Sequence, residues 1–229
     1  MSLGLVIPLL DEVELVDPVV TGIHEILKQA GIEHTLSLVN NGSTDGTGER
    51  IDRLAQTLPV QAVHLEENAG YGGGILAGLH ALRHQPPMVM GWCWGDGQIH
   101  PNTLPPLYRA CMRGTPMAKV VRTERRDGTK RKVITTGYAW AVRAIGGEHP
   151  DVNGCPKLLR REALEALAPK STDWFLDAEV MLGAQRLGWN IATHPAAMEP
   201  RAAGHSKVRT STLLEFAWNL ARWRMTHSL

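Results

Sequence analysis

The chain has 229 residues and a net charge of +1, so no overall field draws it to nucleic acid, and no nucleic-acid partner is expected. With 43% apolar residues it can bury a proper core, as one large domain or two small ones. No window approaches the roughly 18 uninterrupted apolar residues of a membrane span, so no transmembrane helix is expected. Cys93, Cys111 and Cys155 are odd in number, widely spaced and without a CxxC, which argues for a reducing, cytoplasmic compartment. The N-terminus runs straight into a strand-like segment with no basic leader and no long apolar core, so no signal peptide is expected.

Taken in chain order, apolar runs at 3–9, 35–39, 60–65 and 88–94 predict strands, with helices between them at 18–30, 46–57 and 73–83. Asp17-Pro18 is a helix start, an N-cap acid followed by a proline in the first turn. Strict alternation of strand and helix implies an α/β fold with a mostly parallel sheet flanked by helices. In such sheets ligands bind beyond the carboxyl ends of the strands. Asp11, Asn40, residues 66–70 and Asp96 each follow a predicted strand, so four loops converge on one edge. The second half predicts a helix at 102–112 and a strand at 118–122. A charged, turn-rich mobile loop follows at 123–132, then helices at 133–145, 161–167 and 173–187 and a strand at 189–194. Thr212 and Glu215 form a capping box that opens a last helix, on which Leu213, Phe216, Ala217, Leu220 and Trp223 share a face. No internal repeat or low-complexity linker appears, so residues 1–229 read as one domain.

Several segments carry chemistry. Trp94-Gly95-Asp96-Gly97-Gln98 follows an apolar run. Magnesium and manganese take oxygen ligands and, beside a nucleotide, need only one or two from the protein. Asp96 and Gln98 can supply these; the alternative is a strand-end acid in a glycine turn. Asn40 precedes Gly42, Ser43 and Asp45; its amide can accept and donate toward a base, or it can simply form an Asx turn. The run 70–74 is glycine-rich but follows the third strand and lacks a ribose acid, so it reads as a close-approach loop and not as a dinucleotide fingerprint. Asp177 and Glu179 open a helix after Trp174 and Phe175; they either stabilise its N-terminus or supply a base to an acceptor hydroxyl. Arg122, Arg125, Arg131, Arg201 and Lys207 are candidates for binding phosphate, against the alternative of a solvated basic loop. Asp151 precedes Gly154 in a turn-like stretch. The histidines show no metal-ligand spacing.

Four of these segments, in this order, resemble family 2 glycosyltransferases of the GT-A fold. They are Val6-Ile7-Pro8-Leu9-Leu10-Asp11-Glu12, then Val39-Asn40-Asn41-Gly42-Ser43-Thr44-Asp45-Gly46-Thr47, then Asn68-Ala69-Gly70-Tyr71-Gly72-Gly73-Gly74, then the Asp96 motif. Asp151-Val152-Asn153-Gly154, Trp174-Phe175-Leu176-Asp177-Ala178-Glu179 and Gly204-His205-Ser206-Lys207 resemble the dolichyl-phosphate mannose synthase branch. The resemblance implies that residues 1–101 bind the nucleotide and 102–229 the acceptor. Pro8, Asp11, Glu12, Asn40, Gly70, Gly95 and Asp96 would line the nucleotide pocket. Asp96 and Gln98 would hold Mg2+ or Mn2+, and Asp177, Asp96 and Lys207 would serve catalysis. Arg122, Arg131, Asp151, Arg201 and Lys207 would face the phosphate or acceptor. Trp94 and Asn40 stand where the family carries acids, and restoring the acid by Trp94→Asp is expected to be tolerated or to improve turnover.

The resulting expectation is inverting transfer of a sugar from a UDP- or GDP-sugar to a polyprenyl phosphate, with peripheral contact to a membrane surface. A soluble small-molecule hydroxyl acceptor and a sugar-nucleotide-binding pseudoenzyme are the alternatives.

Overall fold

A computed structural model describes residues 2–84, 87–125, 151–200, 219 and 223 of the chain. One seven-stranded sheet runs through it, in the order β3-β2-β1-β4-β6-β5-β7. The strands are β1 (Ser2–Leu9), β2 (Glu33–Asn41), β3 (Val60–Leu65), β4 (Val89–Trp92), β5 (Met117–Arg125), β6 (Lys157–Arg160) and β7 (Ile191–Met198). The helices are α1 (Val16–Gln29), α2 (Thr47–Ala55), α3 (Gly70–Ala81), α4 (Leu104–Met112), α5 (Arg161–Leu167) and α6 (Leu176–Arg186). Among these strands only β6 runs against its neighbours; it pairs antiparallel with both β4 and β5, and the other pairs are parallel.

β1 shows why the first half is legible. Leu3, Leu5, Val6 and Ile7 are fully buried, and helices cover both faces of a parallel sheet, so the strand is a continuous apolar run with no alternation. α1 is one-sided instead. Val16, Val20, Ile23 and Leu27 recur at helical spacing and face the core, and Gly31 ends the helix at φ +68. The strand order turns at β1, with β2 on one side and β4 on the other. That reversal opens the crevice in which such sheets bind ligands.

Departures from the sequence expectation fall in both halves: α1 begins at Val16, with Leu15 and not Asp17 at its cap and no side-chain bond there, and two strands of the second half differ. The strand β6 is not predicted: four residues, Lys-Leu-Leu-Arg, lead straight into a helix, and only pairing on both edges makes them a strand. The segment from 123 reads as loop, yet β5 continues through Arg125 past an irregularity between Arg122 and Glu124, because β7 pairs with it as far as Met198. The helix expected at 133–145, the basic stretch 126–132 and the capping box at Thr212 and Glu215 lie outside the described residues, as do Arg131, Arg201 and Lys207. Among the described residues no helix is long and apolar enough to cross a membrane.

Candidate active site

The loops after β1 and β2 are fastened to each other. The Asp11 N–H donates to Ser43 Oγ (3.0 Å), and the Asp11 carboxylate accepts from Thr44 N (2.9 Å). Glu12 N donates to Thr47 Oγ1 (3.0 Å), and Val13 N to Asp45 Oδ2 (3.0 Å). Asp11 sits at φ +48, a left-handed conformation that Asp tolerates and that these bonds hold in place. Asn40 Oδ1 accepts from Ser43 N (3.0 Å), closing a local turn three residues on, one beyond the reach of an Asx turn; its Nδ2 faces His64 Nδ1 at 3.4 Å. The turn engages one of the two lone pairs of that amide oxygen.

Asn41, next along the chain, ties β2 to the glycine-rich start of α3. Its amide donates to Gly70 O (3.0 Å) and Asn68 Oδ1 (3.3 Å) and accepts from Ala69 N (3.0 Å). Gly70 begins α3 at φ +81, and a Cβ on Gly72 would lie 2.2 Å from Ser171 O. Four glycines in the first five positions disfavour a helix by propensity. The helix nevertheless starts at residue 70 instead of 73, because the glycines let its backbone press against residues 171–173 and against Pro8 of β1.

Across the β1/β4 crevice lies the Asp96 loop. Gly95 packs against β1 so closely that a Cβ there would lie 2.4 Å from Leu9 Cδ2. Asp96 is 8% exposed and accepts from Gln98 N (3.2 Å); Gly97 supplies the left-handed turn at φ +68. Gln98 donates from Nε2 to Glu199 O (3.0 Å), so the residue just after β7 fixes the orientation of its amide. A cavity of about 340 Å³ opens beside Asp96, walled by Leu15, Val19, Ile23 and Ile99. The donor set, one carboxylate and one amide, fits a magnesium or manganese ion that completes its shell with water and diphosphate oxygens. Among the described residues no group of three or more His, Cys, Asp or Glu could hold a metal unaided.

Beyond β4, towards β6 and β5, is a buried charge cluster. Lys157, on the unpredicted strand β6, donates to Asp177 Oδ1 at 2.7 Å, and both side chains are almost wholly enclosed. Trp92 Nε1 donates to the same oxygen (3.2 Å), and the Tyr71 hydroxyl donates to Oδ2 (3.3 Å). Burial, and then the Asp177 charge, push the Tyr71 hydroxyl well above the usual phenol range, so it keeps its proton. Arg122 clasps Asp151 through its guanidinium and backbone N–H, with Nε 2.9 Å from Oδ2. Burial raises the Asp151 carboxyl, but Arg122 outweighs it and leaves the group below the ordinary range. Lys119 donates to Asp151 O; burial, followed by repulsion from Lys157, brings its ammonium down to about 7.

Trp94 joins the two sides. Its Nε1 donates to the Tyr71 hydroxyl (3.2 Å), and the Arg122 guanidinium lies 5.3 Å above its ring. Tyr71 in turn stacks flat on Trp174, with centroids 4.4 Å apart.

The predicted residues therefore fall into three groups: Pro8, Asp11, Glu12, Asn40 and Gly70 around the first two loops; Gly95, Asp96 and Gln98 at β4; Arg122, Asp151 and Asp177 in the charge cluster. Asp177 is indeed in the first turn of α6, but its partner is Lys157 and not open solvent. Glu179 accepts from the backbone N–H groups of Lys170 and Ser171 (3.1 and 2.8 Å). Sequence reasoning assigned no role to Asn41, Tyr71, Lys119 and Lys157. Lys119 carried a usable signal, a cation inside an apolar predicted strand, which stays there only when paired; Lys157 carried none, because its strand is not legible in the sequence.

Residues 5–168 match the family described as Glycosyl transferase family 2. The chain is 28% identical to polyprenol monophosphomannose synthase of Mycolicibacterium smegmatis, over 95% of its own length and 85% of the relative's. It is 21% identical to dolichol-phosphate mannosyltransferase of Pyrococcus furiosus, over 97% of its length, and spans only 64% of that protein. Among solved structures it is similar to glucosyl-3-phosphoglycerate synthase from Mycobacterium tuberculosis in complex with Mn2+, UDP and glucosyl-3-phosphoglycerate. That likeness has a TM-score of 0.72 and 19% identity over 98% of this chain and 79% of the other. It is also similar to mannosyl-3-phosphoglycerate synthase from Rubrobacter xylanophilus, with a TM-score of 0.74 and 14% identity over 100% and 76% of the two chains.

Proposed function

The chain belongs to glycosyl transferase family 2, and from that premise we propose that it moves a sugar from a nucleoside-diphosphate donor to a polyprenyl phosphate, inverting the anomeric carbon. It is a glycosyltransferase with a GT-A-type fold. The observation that carries the proposal is Asp96 at the carboxyl end of β4, across the crevice from the Asp11 and Asn40 loops. In this reading the nucleoside lies against Asp11, Glu12, Asn40 and Gly70, with uridine preferred to guanosine, and its diphosphate reaches Asp96. Asp96 and the Gln98 amide oxygen would hold Mg2+ or Mn2+, which neutralises the charge of the departing diphosphate.

The state of Asp177 supports a phosphate acceptor. A hydroxyl acceptor needs a general base to remove its proton. Asp177 is committed to Lys157, Trp92 and Tyr71 and is 2% exposed. A phosphate oxygen is already anionic. It attacks the anomeric carbon, the bond from that carbon to the diphosphate oxygen breaks, and the nucleoside diphosphate leaves with the electron pair. No proton has to move. Arg122, with Arg131, Arg201 and Lys207 from outside the described residues, would balance the acceptor charge. The relatives named for polyprenol and dolichol phosphate support the same class.

Contact with a membrane would be peripheral. Of the last helix, Trp223 packs against Phe175 with centroids 6.2 Å apart, and Asn219 donates to Asp173, so this part of the helix rests on the protein. Basic residues near an anionic surface contribute about 1 kcal/mol each, so the stretch 122–132 would provide the attraction. The test is transfer from UDP- and GDP-sugars to a short polyprenyl phosphate with Mn2+, run beside co-sedimentation with anionic liposomes at low and high salt. Transfer that disappears in Asp96→Asn, with salt-sensitive liposome binding, is expected. Transfer to hydroxyl compounds alone, or NAD binding without nucleoside-diphosphate binding in calorimetry, would overturn the assignment.

A further inference from the structure

Trp94 stands two residues before Asp96, where the family carries a carboxylate. An aspartate there would offer no donor to Tyr71 and no ring face to Arg122. The indole does both. Its N–H goes to the tyrosine oxygen at 3.2 Å, and that hydroxyl, having one proton, gives it to Asp177 at 3.3 Å. The direction of the chain is therefore fixed from Trp94 to Tyr71 to Asp177. The tyrosine ring is held by its stack on Trp174, at an interplanar angle of 7°. On the other side of the indole lies Arg122, itself clasped to Asp151. The intervening residue, Gly95, is pressed against Leu9 of β1. The backbone leading to Asp96 is thus seated on the nucleotide half through Gly95 and tied to the charge cluster twice, by Trp92 Nε1 to Asp177 at the end of β4 and, nearer Asp96, by Trp94.

We infer that Trp94, with Tyr71, is a positioning residue for sugar transfer: the indole fastens the Asp96 loop to Arg122 and the Asp177–Lys157 pair, and so holds the donor and acceptor sides of the crevice in one register. The inference rests on the reading of Asp96 given under Proposed function. In a family site built on two acids, the first acid would act on the ligand directly. Here the same position acts through protein groups, and the missing negative charge is replaced by mechanical coupling. A misplacement of the order of 1 Å between donor and acceptor is enough to slow transfer about a hundredfold.

The test uses Trp94→Phe, which keeps an aromatic face under Arg122 and loses the N–H, and Tyr71→Phe, which keeps the stack and loses the hydroxyl. Each is compared with the parent for kcat and KM in polyprenyl-phosphate transfer, for thermal unfolding, and for uridine diphosphate affinity by calorimetry. Each variant is expected to lower kcat by about tenfold to a hundredfold, the range for loss of an outer-shell partner. Nucleotide affinity is expected to stay within about threefold, well inside that effect. The double variant is expected to be no slower than the slower single one, because the two groups act in one chain. Trp94→Asp, contrary to the sequence expectation, is expected to be slower than Trp94→Phe. The inference is overturned if Trp94→Phe transfers at the parental rate, if Trp94→Asp equals or exceeds the parent, or if the single losses multiply. Asp96→Asn is run alongside: if it is silent, the reading of Asp96 fails and takes the inference with it. If it is inactive while Trp94→Phe is parental, only the inference fails.

Discussion

Replacing Asp177 by Asn is the perturbation that most sharply separates a structural carboxylate from a catalytic one. The side chains of Lys157 and Asp177 are 0% and 3% exposed and meet at 2.7 Å. Asn keeps the volume and removes the charge, leaving the Lys157 ammonium enclosed with no anion in contact at that oxygen. Hydrogen bonding adds to the cost. The carboxylate accepts from Lys157 and Trp92 on one oxygen and from Tyr71 on the other. An amide has one oxygen, so its NH2 faces either Lys157 and Trp92, where donor meets donor, or the Tyr71 hydroxyl, which must then accept and turn its own proton away from residue 177. Breaking a buried pair in this way costs about 3–5 kcal/mol. For a domain of this size that lowers Tm by roughly 6–20 °C, at about 2–4 °C per kcal/mol. Urea unfolding read by tryptophan fluorescence gives the loss directly as a fall in midpoint at constant slope. The double variant Asp177→Leu/Lys157→Met should recover most of it, because an apolar pair of similar volume is often neutral where a buried ion pair stood. A single Asp177→Asn variant within about 1 kcal/mol of the parent that nevertheless loses transfer would refute the reasoning and return Asp177 to a direct role.

Two further outcomes follow from the described geometry. Lys119 ionises near 7 in the folded protein because it is buried, and at its ordinary 10.5 when unfolded, so between these values the unfolded chain holds the extra proton. Stability from this residue is therefore lost as pH falls from 10.5 towards 7 and is constant below. Burial raises the Cys93, Cys111 and Cys155 thiols, which oppose the trend as pH approaches their ordinary value of 9.0. Urea titrations across pH 7–8, below that range, should thus show stability rising with a slope of up to about 1.4 kcal/mol per unit that Lys119→Met removes; an unchanged slope in that variant would contradict the assignment. Gly78→Ala sets helix propensity against packing. Alanine gains about 1 kcal/mol in the middle of α3, but its Cβ would lie 2.4 Å from Val6 Cγ1 and 2.9 Å from Val39 Cγ2, both stiff and fully buried. Overpacking costs about 1–3 kcal/mol, so calorimetry should find the variant destabilised, and a rise in Tm would show that β1 and β2 yield.

The sequence by itself determined the first half of the fold and where its loops must meet. β1, β2 and β4 are largely buried and write themselves as apolar runs, the edge strand β3 is half-buried yet still bounded by turn residues, and α1 announces its face through local periodicity. Asp11, Asn40 and Asp96 follow strand ends, so chain order alone brings them to one edge of a parallel sheet. What the tertiary structure decided is the charge cluster on the second half of the sheet. β6 is four residues long and is a strand only because β4 and β5 flank it; nothing in Lys-Leu-Leu-Arg distinguishes it from the helix that follows. α3 begins inside a run of glycines that local propensity would exclude, since close approach to residues 171–173 outweighs propensity. The pairing of Asp177 with Lys157, 20 residues apart, and the chain from Trp94 through Tyr71 across 106 residues to Asp177, depend on which side chains the closed sheet brings within 3.3 Å. Hydrogen bonds act over a few ångströms of space, and residues so far apart along the chain share that space only after the core around them has formed.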